Sequence, residues 1–151
     1  MISPELLRRY SFFSGFSSQE LKELAMAAKE QALPVGQILF NEGDTADSFY
    51  FLADGEVETL VSADGEPIPM STLPAGEPVG WSALIEPRLY TASAKATRAC
   101  RIISFPRQEL GRLLENPHFA ALFMRKLAEV VSRRLRDAQI QLVSLTAQQK
   151  A

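Results

Sequence analysis

Apolar and polar positions follow three different periods along the chain. Near the N-terminus the period is helical. Ser3-Pro4 reads as an N-cap followed by proline at the first helical position, opening a short helix over Glu5–Arg9. Ser17 with Glu20 three residues later has the capping-box pattern, and Leu21, Leu24, Ala25 and Ala28 follow at helical spacing. From Pro34 the pattern changes. Gly36, Gly43, Gly55, Gly65, Gly76 and Gly80 separate short apolar or alternating runs at Gln37–Phe40, Phe49–Leu52, Val57–Val61, Ile68–Leu73, Ala92–Ala96 and Arg101–Phe105. Asp54-Gly55 and Asp64-Gly65 carry the signal of tight hairpin turns, because both residue types tolerate positive φ. Several short strands at this spacing predict a β-sandwich or barrel.

After Phe105 the helical period returns. Pro106 opens a helix through Leu114, and Asn116-Pro117 reads as the N-cap and first residue of a second helix, free of glycine and proline to about Leu145. On that helix Ala121, Met124, Ala128, Val131, Leu135, Ala138, Leu142 and Leu145 recur with a 3-4-3-4-3-4-3 spacing, a heptad seam. A second stripe, Phe119, Phe123, Leu127 and Val130, covers only the N-terminal half. This half is expected to pack on the strands while the seam meets a second copy. The alternative is a helix folded back on its own domain. The expected organisation is one domain: a helical segment over 1–33, strands over 34–105, helices over 106–145 and a frayed tail over 146–151.

Composition narrows the class. Of 151 residues 46% are hydrophobic and 23% charged, which excludes disorder as the main state. A net charge of −2 gives no general attraction to nucleic acid or anionic membrane. One cysteine (Cys100) and one histidine (His118) exclude an intrachain disulfide and a Cys/His zinc site. This usage suits a cytoplasmic location. No apolar stretch approaches the roughly 18 residues of a membrane span, and Glu5, Arg8 and Arg9 interrupt any signal-peptide core. Arg133-Arg134-Leu135-Arg136 is basic, and from Phe119 onward there are six basic and two acidic residues. Nucleic-acid contact is one reading of this run. A solvated or partner-docking helix face is the one adopted, so no nucleic acid and no membrane are expected. His118 reads as a surface or capping residue and Cys100 as a buried, inert thiol. No nucleophile–base set or metal cluster stands out, so the expectation is a non-enzyme.

Leu73–Ala96, LPAGEPVGWSALIEPRLYTASAKA, is the most informative segment. It reads as a strand, a glycine turn, a short helical piece at Ser82–Ile85, a loop broken by Pro87, and a strand of small residues. A short helix facing a cavity presents unpaired N–H groups, a generic anion site, to which Ser93 could add a hydroxyl. A plain crossover between strands fits the same residues.

Taken from Leu6 to Leu145, the chain resembles the cyclic-nucleotide-binding domain family, the catabolite-activator-like fold. The resemblance rests on the flanking helices, the glycine register at Gly36, Gly43, Gly55, Gly76 and Gly80, the segment FYFLADGEVETL over Phe49–Leu60, and a phosphate-binding-cassette-like segment over 79–93. The family cassette reads approximately F-G-E-x-A-L-[LI], a loop, then R-x-A-[ST]. This sequence has Val79-Gly80-Trp81-Ser82-Ala83-Leu84-Ile85, a loop, then Tyr90-Thr91-Ala92-Ser93. The resemblance implies an α+β, mainly β fold: a double-stranded β-helix or jelly-roll-like β-roll between N-terminal helices and a long C-terminal helix. It implies that the backbone N–H groups of Ala83 and Leu84 meet a cyclic phosphate, that Ser93 donates to it or to the base, and that Gly80 lets the backbone approach the sugar.

Two positions depart from the family. Trp81 replaces the acid that accepts from the ribose hydroxyl, and Tyr90 replaces the arginine that pairs with the phosphate. A charged partner is worth roughly 1.5–3 kcal/mol, so each loss weakens binding by about 10- to 100-fold. Arg88, two residues before Tyr90, either swings in as a substitute or is a solvated loop residue. Trp81 and Tyr90 either stack on a flat ligand or fill the space that a ligand would take. The expected function is a stand-alone, homodimeric regulatory or sensor domain with cyclic AMP, cyclic GMP or another small ligand in the roll, read by an unidentified protein partner. The alternative is a dimeric interaction module that binds no nucleotide.

Overall fold

A computed structural model describes residues 1–150 of the chain. Helix α1 (Pro4–Arg8) starts where the proline signal places it, with the Ser3 hydroxyl accepting from the Glu5 N–H. A 3-10 turn (Ser11–Phe13) leads to α2 (Ser18–Ala27), which opens on a complete capping box between Ser17 and Glu20. Eight strands follow: β1 (Lys29–Leu33), β2 (Ile38–Phe40), β3 (Ser48–Asp54), β4 (Glu56–Ala63), β5 (Glu66–Pro74), β6 (Pro78–Val79), β7 (Ser93–Ala96) and β8 (Cys100–Pro106). A second 3-10 turn, Trp81–Leu84, stands between β6 and β7. Helix α3 (Arg107–Leu113) and the long α4 (Pro117–Lys150) close the chain, and the Asn116 carboxamide caps α4 by accepting from the N–H groups of His118 and Phe119.

The strands form two antiparallel four-stranded sheets, ordered β1-β8-β3-β6 and β2-β7-β4-β5. This is the β-roll expected from the sequence. Its strand alternation serves two cores at once. Phe49 and Phe51 of β3 and Ile103 and Phe105 of β8 point to a helical layer built from Leu7, Phe12, Phe13, Leu24, Phe119 and Phe123. Leu52, Ile102 and Cys100 point the other way, into the roll, where Phe40, Val57, Leu73, Val79 and Tyr90 complete the second core. Eight of the nine phenylalanines belong to the first core and Phe40 alone to the second. No helix among the described residues is long and apolar enough to cross a membrane.

The structure corrects the sequence reading in three places. The segment 1–33 is not helical throughout, because Lys29–Leu33 pairs with β8 as an edge strand. Its KEQAL sequence lacks β propensity and alternation, so tertiary pairing decides. Asp54-Gly55 is not a hairpin turn. There the chain passes from one sheet to the other, since β3 pairs with β6 and β8 while β4 pairs with β5 and β7. Asp64-Gly65 is the hairpin turn, joining β4 to β5. Finally, α4 does not stop near Leu145 but runs to Lys150, so of the expected tail only Ala151 lies outside the described residues.

Gly55 shows why the crossing needs glycine. Its φ is +98°, and a Cβ there would sit 2.4 Å from the Ala99 carbonyl oxygen. Gly65 also has positive φ (+80°), but a Cβ there would meet nothing within 4 Å. Gly65→Ala is expected to cost about 1 kcal/mol of strain, and Gly55→Ala clearly more, about 2–4 kcal/mol. Urea denaturation checks the order, and equal costs would contradict it. Phe123→Ala, at a side chain 1% exposed, is expected to cost about 3–5 kcal/mol by the same measurement.

Candidate ligand site in the roll

The cassette-like segment enters the roll through β6. Gly80 adopts a left-handed conformation (φ +75°), and a Cβ there would meet the Phe40 ring at 2.8 Å and the Tyr90 ring at 3.0 Å. The backbone therefore turns directly against an aromatic pair. The 3-10 turn Trp81–Leu84 follows in place of the helical piece expected over Ser82–Ile85, with Ser82 and Ala83 buried. The next loop is pinned to the one after β2: Gly43 donates to the Tyr90 carbonyl (2.8 Å), Tyr90 to that of Asp44 (3.0 Å), and Ala46 to that of Arg88 (2.8 Å).

This pinning sends the Tyr90 side chain inward. Only 5% of the residue is exposed. Its ring stacks on Phe40 with centroids 3.8 Å apart and planes 11° from parallel, and its hydroxyl donates to the Ser48 carbonyl at 2.9 Å. Burial pushes the phenol well above its ordinary pKa, so it stays neutral. With Tyr90 in place, the inner space bounded by Phe40, Gly80, Trp81, Ser82, Tyr90 and Thr91 holds about 70 Å³ and is open on one side. Small-ligand sites are typically about 300–1,000 Å³.

Trp81 borders this space on the side of α4. It packs with Leu84 on the helical core, and the Arg134 guanidinium of α4 lies 4.8 Å from its ring centroid. Arg134 also donates to the Pro78 carbonyl and to Glu77. Arg133 grips both carboxylate oxygens of Glu77 at 2.6 Å. Glu77 is 19% exposed, so these charges lie in a partly desolvated latch between α4 and the loop before β6. Burial lowers the pKa of Arg134 and Glu77 raises it.

The other expected site residues divide. Thr91 and Ser82 line the inner space with Gly80, Trp81 and Tyr90. The Ser93 hydroxyl accepts from the Glu42 N–H at 2.9 Å, fixing the loop after β2. Arg88 does not line the inner space; its backbone is left-handed (φ +59°) and its guanidinium lies 3.4 Å from exposed Glu86. Away from the roll, the Cys100 thiol is buried against the carbonyls of Glu56 and Arg98, and burial raises its pKa. His118 is exposed and lies 3.3 Å from Glu20. On α4, Phe119, Phe123, Leu127 and Val130 are buried, whereas the seam residues Met124, Ala128, Val131, Leu135, Ala138, Leu142 and Leu145 are all exposed. The sequence reading missed the Glu77–Arg133–Arg134 latch and the Phe40 partner of Tyr90. Arg133-Arg134 was visible as a basic pair, but Glu77 lies 56 positions away and carries no local signal.

Comparison with known proteins agrees with this architecture. The model of the cyclic nucleotide-binding domain family matches residues 30–117. A chain of Geobacter metallireducens, provisionally assigned as a cyclic nucleotide-binding protein, is similar in structure with a TM-score of 0.80 and 34% identity, over 89% of this chain and 99% of that one. The catabolite activator protein of Thermus thermophilus is similar with a TM-score of 0.72 and 25% identity, over 95% of this chain and 63% of that one. The cAMP-dependent protein kinase regulatory subunit of Schizosaccharomyces pombe is 27% identical over 116 residues, 77% of this chain. The match spans only 27% of that subunit. Matched by the family model over more than half its length and folded as its solved relatives are, the chain belongs to the cyclic nucleotide-binding domain family.

Proposed function

We propose that the chain is a non-catalytic regulatory domain whose roll is filled by its own side chains, and that it acts through α4 rather than by holding a cyclic nucleotide tightly. The observation that carries this reading is Tyr90, stacked on Phe40 and hydrogen-bonded to Ser48 where the family places its phosphate-binding arginine. A nucleotide would have to displace the ring, losing an aromatic pair of about 0.5–1.5 kcal/mol and a hydrogen bond of about 1 kcal/mol. Its phosphate would then lie in the roll without a cation from the cassette, since Arg88 is outside and Arg134 is held by Glu77 and Pro78. The regulatory, non-enzymatic role follows the relatives named above, and a buried lone thiol fits a reducing cytoplasm.

The same reading includes a homodimer through α4. Leu135 is 58% and Leu142 65% exposed, and no charge interrupts the helix from Ala138 to Gln149. A helical stretch of that length is marginal alone in water and gains stability by pairing its seam.

Calorimetric titration with cyclic AMP and cyclic GMP is expected to show no saturation below about 100 μM, and micromolar binding would overturn the filled-roll reading. Tyr90→Arg combined with Trp81→Glu is expected to tighten cyclic AMP binding at least about tenfold, provided circular dichroism shows the fold retained. No gain in a folded variant would mean that these two positions do not control the site. Sedimentation is expected to show a dimer that Leu135→Glu with Leu142→Glu converts to monomer; a monomeric parent chain refutes the seam.

A further inference from the structure

One side of α4 belongs neither to the core nor to the seam. With 3.6 residues per turn it lies about 140° round the helix from Leu135 and Leu142. Arg125, Glu129, Ser132, Arg133 and Arg136 stand on it, followed by Ile140, Val143 and Ala147, all of them exposed. Ile140 is 61% and Val143 69% exposed. The stripe is therefore cationic over roughly its first three turns and apolar over the next two.

Most of its cations have no partner within the molecule. Arg133 reaches back to Glu77, and Lys126 at the edge of the stripe donates to the Ser14 hydroxyl at 2.7 Å. Arg125 and Arg136 have no ion-pair partner among the described residues, and neither has Arg9, which shares a cleft of about 610 Å³ with Lys126 and Arg133. The one acid on the stripe, Glu129, stands four residues from both Arg125 and Arg133, the spacing of helical ion pairs, yet pairs with neither. A shallow groove between Arg125, Ala128, Ser132 and Arg136 adjoins the cleft at Glu129 and Arg133.

Whatever covers this face must be negative at one end and apolar at the other. Of residues 34–105, ten are acidic and four basic, so an extended polyanion that met α4 would also meet a repelling roll. Membrane-surface helices carry their cations on the face opposite the apolar one, whereas here charge and apolar surface follow each other along a single stripe. A helix about 10 Å across can touch α4 alone, with acids on one half and apolar anchors on the other.

We propose that this face of α4 docks an acidic amphipathic helix of a partner protein. The inference rests on the reading that the domain acts through α4, and it names the class of partner. Because the stripe and the seam lie on different sides, a dimer has both faces available at once.

Two fluorescein-labelled helical peptides serve as probes. One carries glutamates along its first half and leucines at i, i+3, i+4 and i+7 in its second; the other has glutamine for every glutamate. Anisotropy titration with the full chain at low salt is expected to give a midpoint below about 100 μM for the acidic peptide and at least about tenfold higher for the neutral one. Arg125→Glu with Arg136→Glu is expected to weaken the acidic peptide at least about tenfold, and Ile140→Ser with Val143→Ser about fivefold, while sedimentation shows both variants in the oligomeric state of the parent. No saturable binding, equal binding of the two peptides, or indifference to Arg125→Glu with Arg136→Glu overturns the face. Tighter binding of phosphatidylserine vesicles or of single-stranded RNA than of the acidic peptide assigns the cations to another class of partner and overturns the proposal. Salt-sensitive association beyond the dimer means that a second copy covers the face, and overturns it as well. In each of these cases a dimer silent toward cyclic AMP leaves the filled roll standing, whereas micromolar cyclic AMP binding with the peptide retained removes the filled roll and keeps the face.

Discussion

Strands β3 and β8 have no face left for water over most of their length. Phe49, Phe51, Ile103 and Phe105 are pressed into the helical layer, while Leu52 and Ile102 are pressed into the roll, all essentially without exposure. One sheet thus serves as the common wall of two cores, and close-packed interiors transmit displacement instead of absorbing it. The cassette touches both sides of this arrangement. Tyr90 belongs to the roll, whereas Trp81 and Leu84 lean on the helical layer and reach α4 through Arg134. A rearrangement of the cassette is mechanically tied to the long helix before any ligand is considered.

The cassette side chains inside the roll are neutral. A buried guanidinium or carboxylate without its counter-ion is costly in a low-dielectric interior. Tyr90 and Trp81 carry no charge and so incur no such cost. Tyr90 brings a single polar group, satisfied by the Ser48 carbonyl, and Trp81 turns its ring to a cation supplied by α4. The positive charge beside the cassette sits on the long helix, where Arg133 and Arg134 pair with Glu77.

Much of the fold was legible because its signals are local. Caps at Ser3, Ser17 and Asn116, the Asp64-Gly65 turn and the alternation of apolar runs all act within a few residues. What escaped depends on distant partners. β1 is a strand only because β8 lies beside it, and Asp54-Gly55 looks like a hairpin turn until the pairing of the flanking strands shows that they belong to different sheets. The cassette-like segment was legible as a stretch of sequence, through its resemblance to the family, but not as a geometry. The inward turn of the Tyr90 ring depends on Phe40, fifty positions before it, and carries no local signal. Ser93 likewise reads as a free hydroxyl until the Glu42 N–H is brought to it by the roll.

The edge strand β5 carries Pro67, Pro69 and Pro74 among its nine residues. A proline has no N–H to offer a neighbouring chain, and its ring obstructs close approach along the edge. Ile68 and Met70 would otherwise make this long exposed strand a template for sheet-to-sheet polymerisation. The prolines cap that side of the sheet against fibre growth, so an exposed strand of nine residues can stand at the rim of the roll without recruiting another.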